Sequence, residues 1–230
     1  MGIPTQGCHS MNNVLEFFES RGIPKEFVRW DDFMYTEKFL DRLKKIEGNL
    51  KVDKIKFHSQ LIQSLNYIYE PFKAEFSGYH FQGCNGCGKT AWASVMVRQA
   101  LLEGINSMIV SMQSLITAYF NEHKLPKDIA IVDLLVIDEV GKELQKNSGG
   151  SVLMSIIDRR MQDGKKTILI SNASADKLIE GYGATFHSKF HYFKPLYFPE
   201  VDFRKSINTL QNNTVQNNGI QQQTIEVDPI

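Results

Sequence analysis

The chain has 230 residues, 42% of them apolar and 11% aromatic, enough to bury one full core and at most a small appendage. Its 26 basic and 26 acidic residues cancel, so no global charge attracts nucleic acid and any such contact needs a local patch. Three cysteines, two of them inside a glycine-rich loop, do not make the disulfide framework of a secreted domain, and no apolar run reaches the length of a membrane span or a signal-peptide core; a soluble protein of the reducing cytoplasm is expected.

Asn12 or Asn13 caps a short predicted helix carrying Val14, Leu15, Phe17 and Phe18, which Arg21-Gly22-Ile23-Pro24 ends. Phe27, Trp30, Phe33 and Tyr35 form an irregular aromatic stretch, and apolar residues at three- and four-residue steps then predict helices over 36–46 and 55–76. From Gly78 onward the period changes. Short apolar strands at 79–82, 107–111, 134–137, 167–171 and 196–198 alternate with helices at 89–103, 113–122, 151–162 and 175–179, the signature of an α/β fold with crossover helices on a parallel sheet. Residues 206–230 are dominated by Asn, Gln and Thr and read as a disordered tail. The expected organisation is a short helical and aromatic segment over 1–50, a core over 51–205 and the tail over 206–230.

The chemistry is concentrated in three places. Gly83-Cys84-Asn85-Gly86-Cys87-Gly88-Lys89-Thr90 matches GxxxxGK[ST], in which glycines let the backbone wrap a phosphate with its N–H groups turned inward. Lys89 is expected to reach the β- and γ-phosphates of ATP, Thr90 to give its hydroxyl to Mg²⁺, and the following helix to add the positive end of its dipole. Cys84 and Cys87 form a CxxC, but without a second ligand pair they read as loop residues rather than a zinc or redox motif.

Asp133 to Glu139 is an apolar strand ending in two carboxylates, which places Asp138 and Glu139 at the carboxyl edge of a buried parallel strand. Asp138 is the candidate for the Mg²⁺ shell and Glu139 for the base that polarises the attacking water, a pairing that suits ATP hydrolysis better than small-molecule phosphorylation. Asn172, at the end of the strand 167–171, is a candidate to orient that water.

With the phosphate loop, Asp138-Glu139 and Asn172 in this order, the chain resembles the AAA+ ATPases, and most of all the bacterial replicative helicase loaders of the DnaC/DnaI type. Gly22-Ile23-Pro24 before an aromatic segment, the strand Asp133 to Gly141, and Ile156-Ile157-Asp158-Arg159-Arg160 ahead of the Asn172 strand carry that resemblance over roughly residues 22–204. It implies a five-stranded parallel sheet of order 5-1-4-3-2 flanked by helices, an ATP-switched assembly with the hexameric replicative helicase, action on single-stranded DNA, and self-association through the ATP site. It further implies that residues 11–21 contact the helicase, that Lys189 stands where the family has its trans-acting arginine, and that Arg204 matches the sensor II arginine, with little or no helical lid after it. Lys124, Lys127, Lys142, Lys146, Arg159, Arg160, Lys165 and Lys166 are the basic candidates for DNA contact.

Two other functions use the same motifs. A transposition helper ATPase of the IstB type would bind duplex DNA beside a transposase, and a non-catalytic module would hold ATP without turning it over. A nucleoside or shikimate-like kinase is disfavoured by Asp138-Glu139 and by the lack of an Arg-rich lid.

Overall fold

The structure is a computed structural model that describes residues 11–29, 31, 35, 37–38, 54–122, 126–146 and 149–203. Five strands form one sheet: β1 (Gly78–Gln82), β2 (Ser107–Ser111), β3 (Leu134–Val140), β4 (Lys166–Ser171) and β5 (Phe193–Tyr197). All pairings are parallel and the order is β2-β3-β4-β1-β5, the expected 5-1-4-3-2 read from the other edge.

Alternate residues of the inner strands feed two cores. Leu134, Val136, Ile168 and Ile170 pack on one face with Tyr79 and Phe81, while Leu135, Ile137 and Leu169 pack on the other. A strand buried on both faces has no polar side, which is why these segments read as continuous apolar runs. The first face is covered by α1 (Met11–Ser20), α2 (Lys54–Asn66) and α3 (Lys89–Leu102), the second by α4 (Met112–Glu122), α5 (Lys127–Ile131), α6 (Gly150–Gln162), α7 (Ala175–Tyr182) and α8 (Ala184–Phe190).

Among the elements that differ from the sequence expectation, two do so for reasons visible in the chain. The helix expected over 55–76 stops at Asn66, since Pro71 cannot extend it and the Lys166 ammonium takes the carbonyls of Tyr67 and Ile68, both at 2.7 Å. Strand β5 begins at Phe193 rather than Leu196 and runs through Pro195, which an edge strand tolerates because it needs hydrogen bonds on one side only.

The N-terminal helix is tied into the sheet. The Ile109 N–H donates to the Arg21 carbonyl at 2.8 Å, and the Arg21 guanidinium donates to Ser107 O at 2.9 Å and to the Asn106 side chain. Gly22 makes this approach possible: at φ 83° its backbone lies so close to β2 that a Cβ would sit 2.0 Å from Ile109 O. Phe18 is buried beneath, 5.6 Å from the Arg98 guanidinium of α3. Residues 36, 39–53 and 204–230, which include the expected helix over 36–46 in large part, Arg204 and the tail, lie outside the described residues. No described helix is long and apolar enough to cross a membrane.

Candidate functional site

Strand β1 ends at Gln82 and α3 begins at Lys89, so the glycine loop occupies the strand-to-helix turn at the carboxyl edge of the sheet. Gly88 starts the helix at φ 98°, a conformation a side chain would strain. The Lys89 side chain folds back over the loop, its ammonium donating to Gly83 O at 2.8 Å, Cys84 O at 2.7 Å and Asn172 Oδ1 at 2.8 Å. Asn172 closes the arrangement, because its Nδ2 donates to Asn85 Oδ1 at 2.6 Å. The residue at the end of β4 is thus joined to both the lysine and the tip of the loop.

Asp138 lies opposite. Thr90 Oγ1 donates to Asp138 Oδ2 at 2.7 Å and the Glu139 N–H donates to Asp138 Oδ1 at 2.7 Å. Burial pushes the Asp138 carboxyl above the usual carboxylate range, against the pull of those two donors. The β3–β4 register shifts between Ile137 and Val140, and within that irregularity Glu139 takes φ 64°, rare for a residue with a side chain. The shift turns Glu139 outward, where its Oε1 is 2.5 Å from Lys142 Nζ. Lys142 opens a short 3-10 turn, Lys142–Lys146, that is anchored by buried Glu143, which accepts from the Gly141 N–H at 3.1 Å and from the Tyr182 hydroxyl.

These groups share a cleft of about 580 Å³, walled on its far side by Pro24, Phe27, Tyr35, Lys38 and Phe203. Sequence reasoning gave none of those five a role in the site. For Pro24, Phe27 and Tyr35 the signal was the Gly22-Ile23-Pro24 and aromatic stretch, which has no spacing of its own to betray that it folds back over the loop, and Phe203 stood out only as the neighbour of Arg204. The Tyr35 hydroxyl donates to Gly88 O at 3.3 Å and its ring meets that of Trp92 at 4.9 Å, tilted by 51°, and the Phe203 N–H donates to Gly86 O at 3.1 Å.

No protein-family model matches the chain. Over 131 residues it is 26% identical to the replicative helicase loader DnaC of Escherichia coli (strain K12), covering 54% of this chain and 53% of that protein. Against the DnaC of Buchnera aphidicola subsp. Acyrthosiphon pisum (strain APS) it is 24% identical over 163 residues, 64% of this chain and 66% of that protein. In sequence the chain is thus similar to replicative helicase loaders of the DnaC type. It spans about half the length of the first of these relatives. Crystal structures similar to this chain include DnaI (TM-score 0.57, 18% identity, 81% of this chain and 98% of that one) and the DnaC helicase loader (TM-score 0.52, 20% identity, 70% and 99%). AMPPCP-bound DnaA from Aquifex aeolicus is also similar, with TM-score 0.54 and 17% identity over 78% of this chain and 55% of that one. The chain therefore shares the fold of these proteins.

Other expected residues lie away from the cleft. Lys189, on α8, pairs with Asp158 of α6 at 3.0 Å and does not line the cleft. Several basic candidates are engaged within the chain: Arg159 pairs with Asp163 at 2.7 Å, Lys165 with Asp133 at 2.5 Å, and Lys166 caps α2. Arg160 is buried, donating to the carbonyls of Ile129, Val132, Asp133 and Lys166 and to the Thr167 hydroxyl. Lys127 is exposed on α5, while Lys124 and the side chain of Lys146 lie outside the described residues.

Proposed function

We propose that the chain is an ATP-switched loader of a hexameric replicative helicase onto single-stranded DNA. The observation that carries this reading is the convergence of Lys89, Thr90, Asp138 and Asn172 on one cleft in a chain related to the DnaC-type loaders. ATP would place its triphosphate in the wrap of residues 83–88, and Lys89 would exchange the carbonyls of Gly83 and Cys84 for the β- and γ-phosphates. Phe27, Tyr35 and Phe203 offer apolar walls for the base.

Thr90 Oγ1 and Asp138 Oδ2 are hard oxygen donors side by side, a set that fits Mg²⁺. Mg²⁺ there would neutralise phosphate charge, as in other phosphoryl-transfer sites. Glu139 would take the proton of the attacking water once it leaves Lys142, and Asn172, already fixed between Lys89 and Asn85, would hold that water or the terminal phosphate in line. Lys189, with its single point charge, would act on a neighbouring subunit's nucleotide in an assembly formed through the ATP site, and Arg204 on the chain's own.

The test combines the chain with the replicative helicase of its native cell, ATP and circular single-stranded DNA, and follows helicase transfer to the circle. Transfer that needs ATP, with duplex circles giving none, supports the loader. For Glu139→Gln the expectation is retained ATP binding with hydrolysis reduced about a hundredfold or more. The Glu139–Lys142 pair favours one second reading, a module that holds ATP without turnover. Lack of phosphate release with helicase and DNA present would establish that reading instead.

A further inference from the structure

The glycine loop carries two thiols for which nucleotide binding has no use, Cys84 and Cys87, and both are free. Cys87 is fully buried under the start of the loop, where a Cβ added to Gly83 would lie 2.9 Å from its Sγ. Cys84 is half-buried, its Sγ 3.9 Å from Pro199 O. One ammonium spans both residues: Lys89 Nζ donates to Cys84 O at 2.7 Å and to Cys87 Sγ at 3.4 Å. The Cys87 thiol therefore faces the cation that the phosphate reading assigns to ATP. Burial pushes that thiol up while Lys89 pulls it down, and Cys84 is close enough to be felt electrostatically by it.

We propose that Cys84 and Cys87 are an oxidisable dithiol that reacts with low-molecular-weight disulfides of the glutathione class, and that their bridge closes the loop to ATP. The inference rests on the nucleotide-binding part of the proposed function. It also gives the CxxC a role where the motif alone reads as loop filler. Cys84, the more accessible thiol, attacks the disulfide as a thiolate, forming a mixed disulfide and releasing one thiol. Cys87, having given its proton to solvent, attacks Cys84 Sγ, which forms the internal bridge and releases the second thiol. Two protein thiols are oxidised and the disulfide is reduced to two thiols.

A bridge requires sulfur atoms about 2 Å apart. Cys87 Sγ must then leave its place beside Lys89, or Cys84 its place beside Pro199, and the turn between them, with Gly86 at φ 74°, must re-form. That turn supplies the amides that would hold the phosphates. Conversely, ATP would draw Lys89 away from Cys87 and lock the turn, so each state disfavours the other, and by the same factor.

The experiment uses the full chain with Cys8→Ser, leaving only this pair. The protein is incubated with glutathione disulfide, with and without ATP and Mg²⁺. The peptide spanning 84–87 is weighed, and ATP affinity is measured before treatment, after it, and after dithiothreitol. The expected result is an internal bridge, an ATP affinity lower by at least about tenfold, full recovery on reduction, and slower bridging when ATP is present beforehand. In Cys87→Ser the reaction stops at glutathione on Cys84, and in Cys84→Ser no bridge forms and Cys87 stays reduced. Failure to bridge, bridging that leaves ATP affinity unchanged, or glutathione found on Cys87 first overturns the proposal. A reduced chain that binds no ATP instead overturns the nucleotide reading itself.

Discussion

Lys142→Ala measures what the ion pair at Glu139 does. The pair is short, 2.5 Å, but its side chains are 58% and 45% exposed, so water and salt share the interaction. Exposed pairs of this kind are worth about 0.2–1 kcal/mol, which limits the bias they place on the carboxylate to about fivefold. With Glu139 as the proposed base, removing the ammonium would free it to accept a proton from water. Phosphate release at saturating ATP is therefore expected to rise about 1.4- to fivefold with KM unchanged. The same pair is weakened by ionic strength, so the wild-type rate should approach that of the variant as salt is raised to about 0.5 M. Steady-state phosphate release over a range of ATP and two salt concentrations reads both effects. If the turnover number falls while KM rises, Lys142 serves the phosphates rather than restraining the base, and the reasoning fails.

Arg160→Met leaves the carbonyls of Ile129, Val132 and Lys166 without their buried donor, and a loss of about 3–5 kcal/mol is expected in urea unfolding. His80 is buried in β1 against Phe190, with neither ring nitrogen bonded; burial, with the Lys89 charge adding to it, pushes the imidazole down to about 4. The folded value lies below the unfolded one of about 6.5. Stability from this residue is thus complete above that pH and lost as pH falls toward 4, by up to about 3 kcal/mol. His80→Leu should flatten the corresponding slope in urea midpoints taken at intervals across that range. Gly22→Ala puts a Cβ against Ile109 O at φ 83° and should detach the N-terminal helix, seen as faster proteolysis between residues 11 and 29 and a stability loss of at least about 1 kcal/mol.

What the sequence makes legible follows from how local the physics is. Leu134 to Ile137 and Ile168 to Ile170 are apolar on both faces because both faces are covered, so their run announces an inner strand. The loop from Gly83 to Thr90 is likewise local, since its spacing is its function. Arg159, Arg160, Lys165 and Lys166 look like one basic patch in the chain. Yet Arg160 faces inward to bridge the loop before β3 and the start of β4, while its neighbour pairs with Asp163. No local pattern separates a helix residue that props a distant backbone from one that meets solvent. The far wall of the cleft is illegible for a related reason. Pro24, Phe27 and Tyr35 come to the loop only because Arg21 and Gly22 dock on β2, a contact across 85 residues or more of sequence.

The docking of α1 bears on how a partner could reach the nucleotide. Leu15, Phe17 and Phe18 pack on the main core, so this helix cannot be a free arm whose apolar face is available for capture. A partner gripping it meets the opposite, exposed side, where Glu16 and Ser20 lie. From there the covalent path is short: Arg21 and Gly22 hold the edge strand, Pro24 and Phe27 line the cleft, and Tyr35 touches the carbonyl of Gly88 at the head of α3. A shift of α1 on the sheet would have to move the wall of the cleft or break the Ile109–Arg21 bond. Lys189, by contrast, is held among the described residues by a partly exposed pair with Asp158, 35% and 40% accessible, which costs no more than about 1 kcal/mol to release. The two proposed connections to an assembly would therefore differ in kind. One through Lys189 would be made or broken at little cost, whereas one through α1 is built into the core, so strain applied there would be delivered to the cleft.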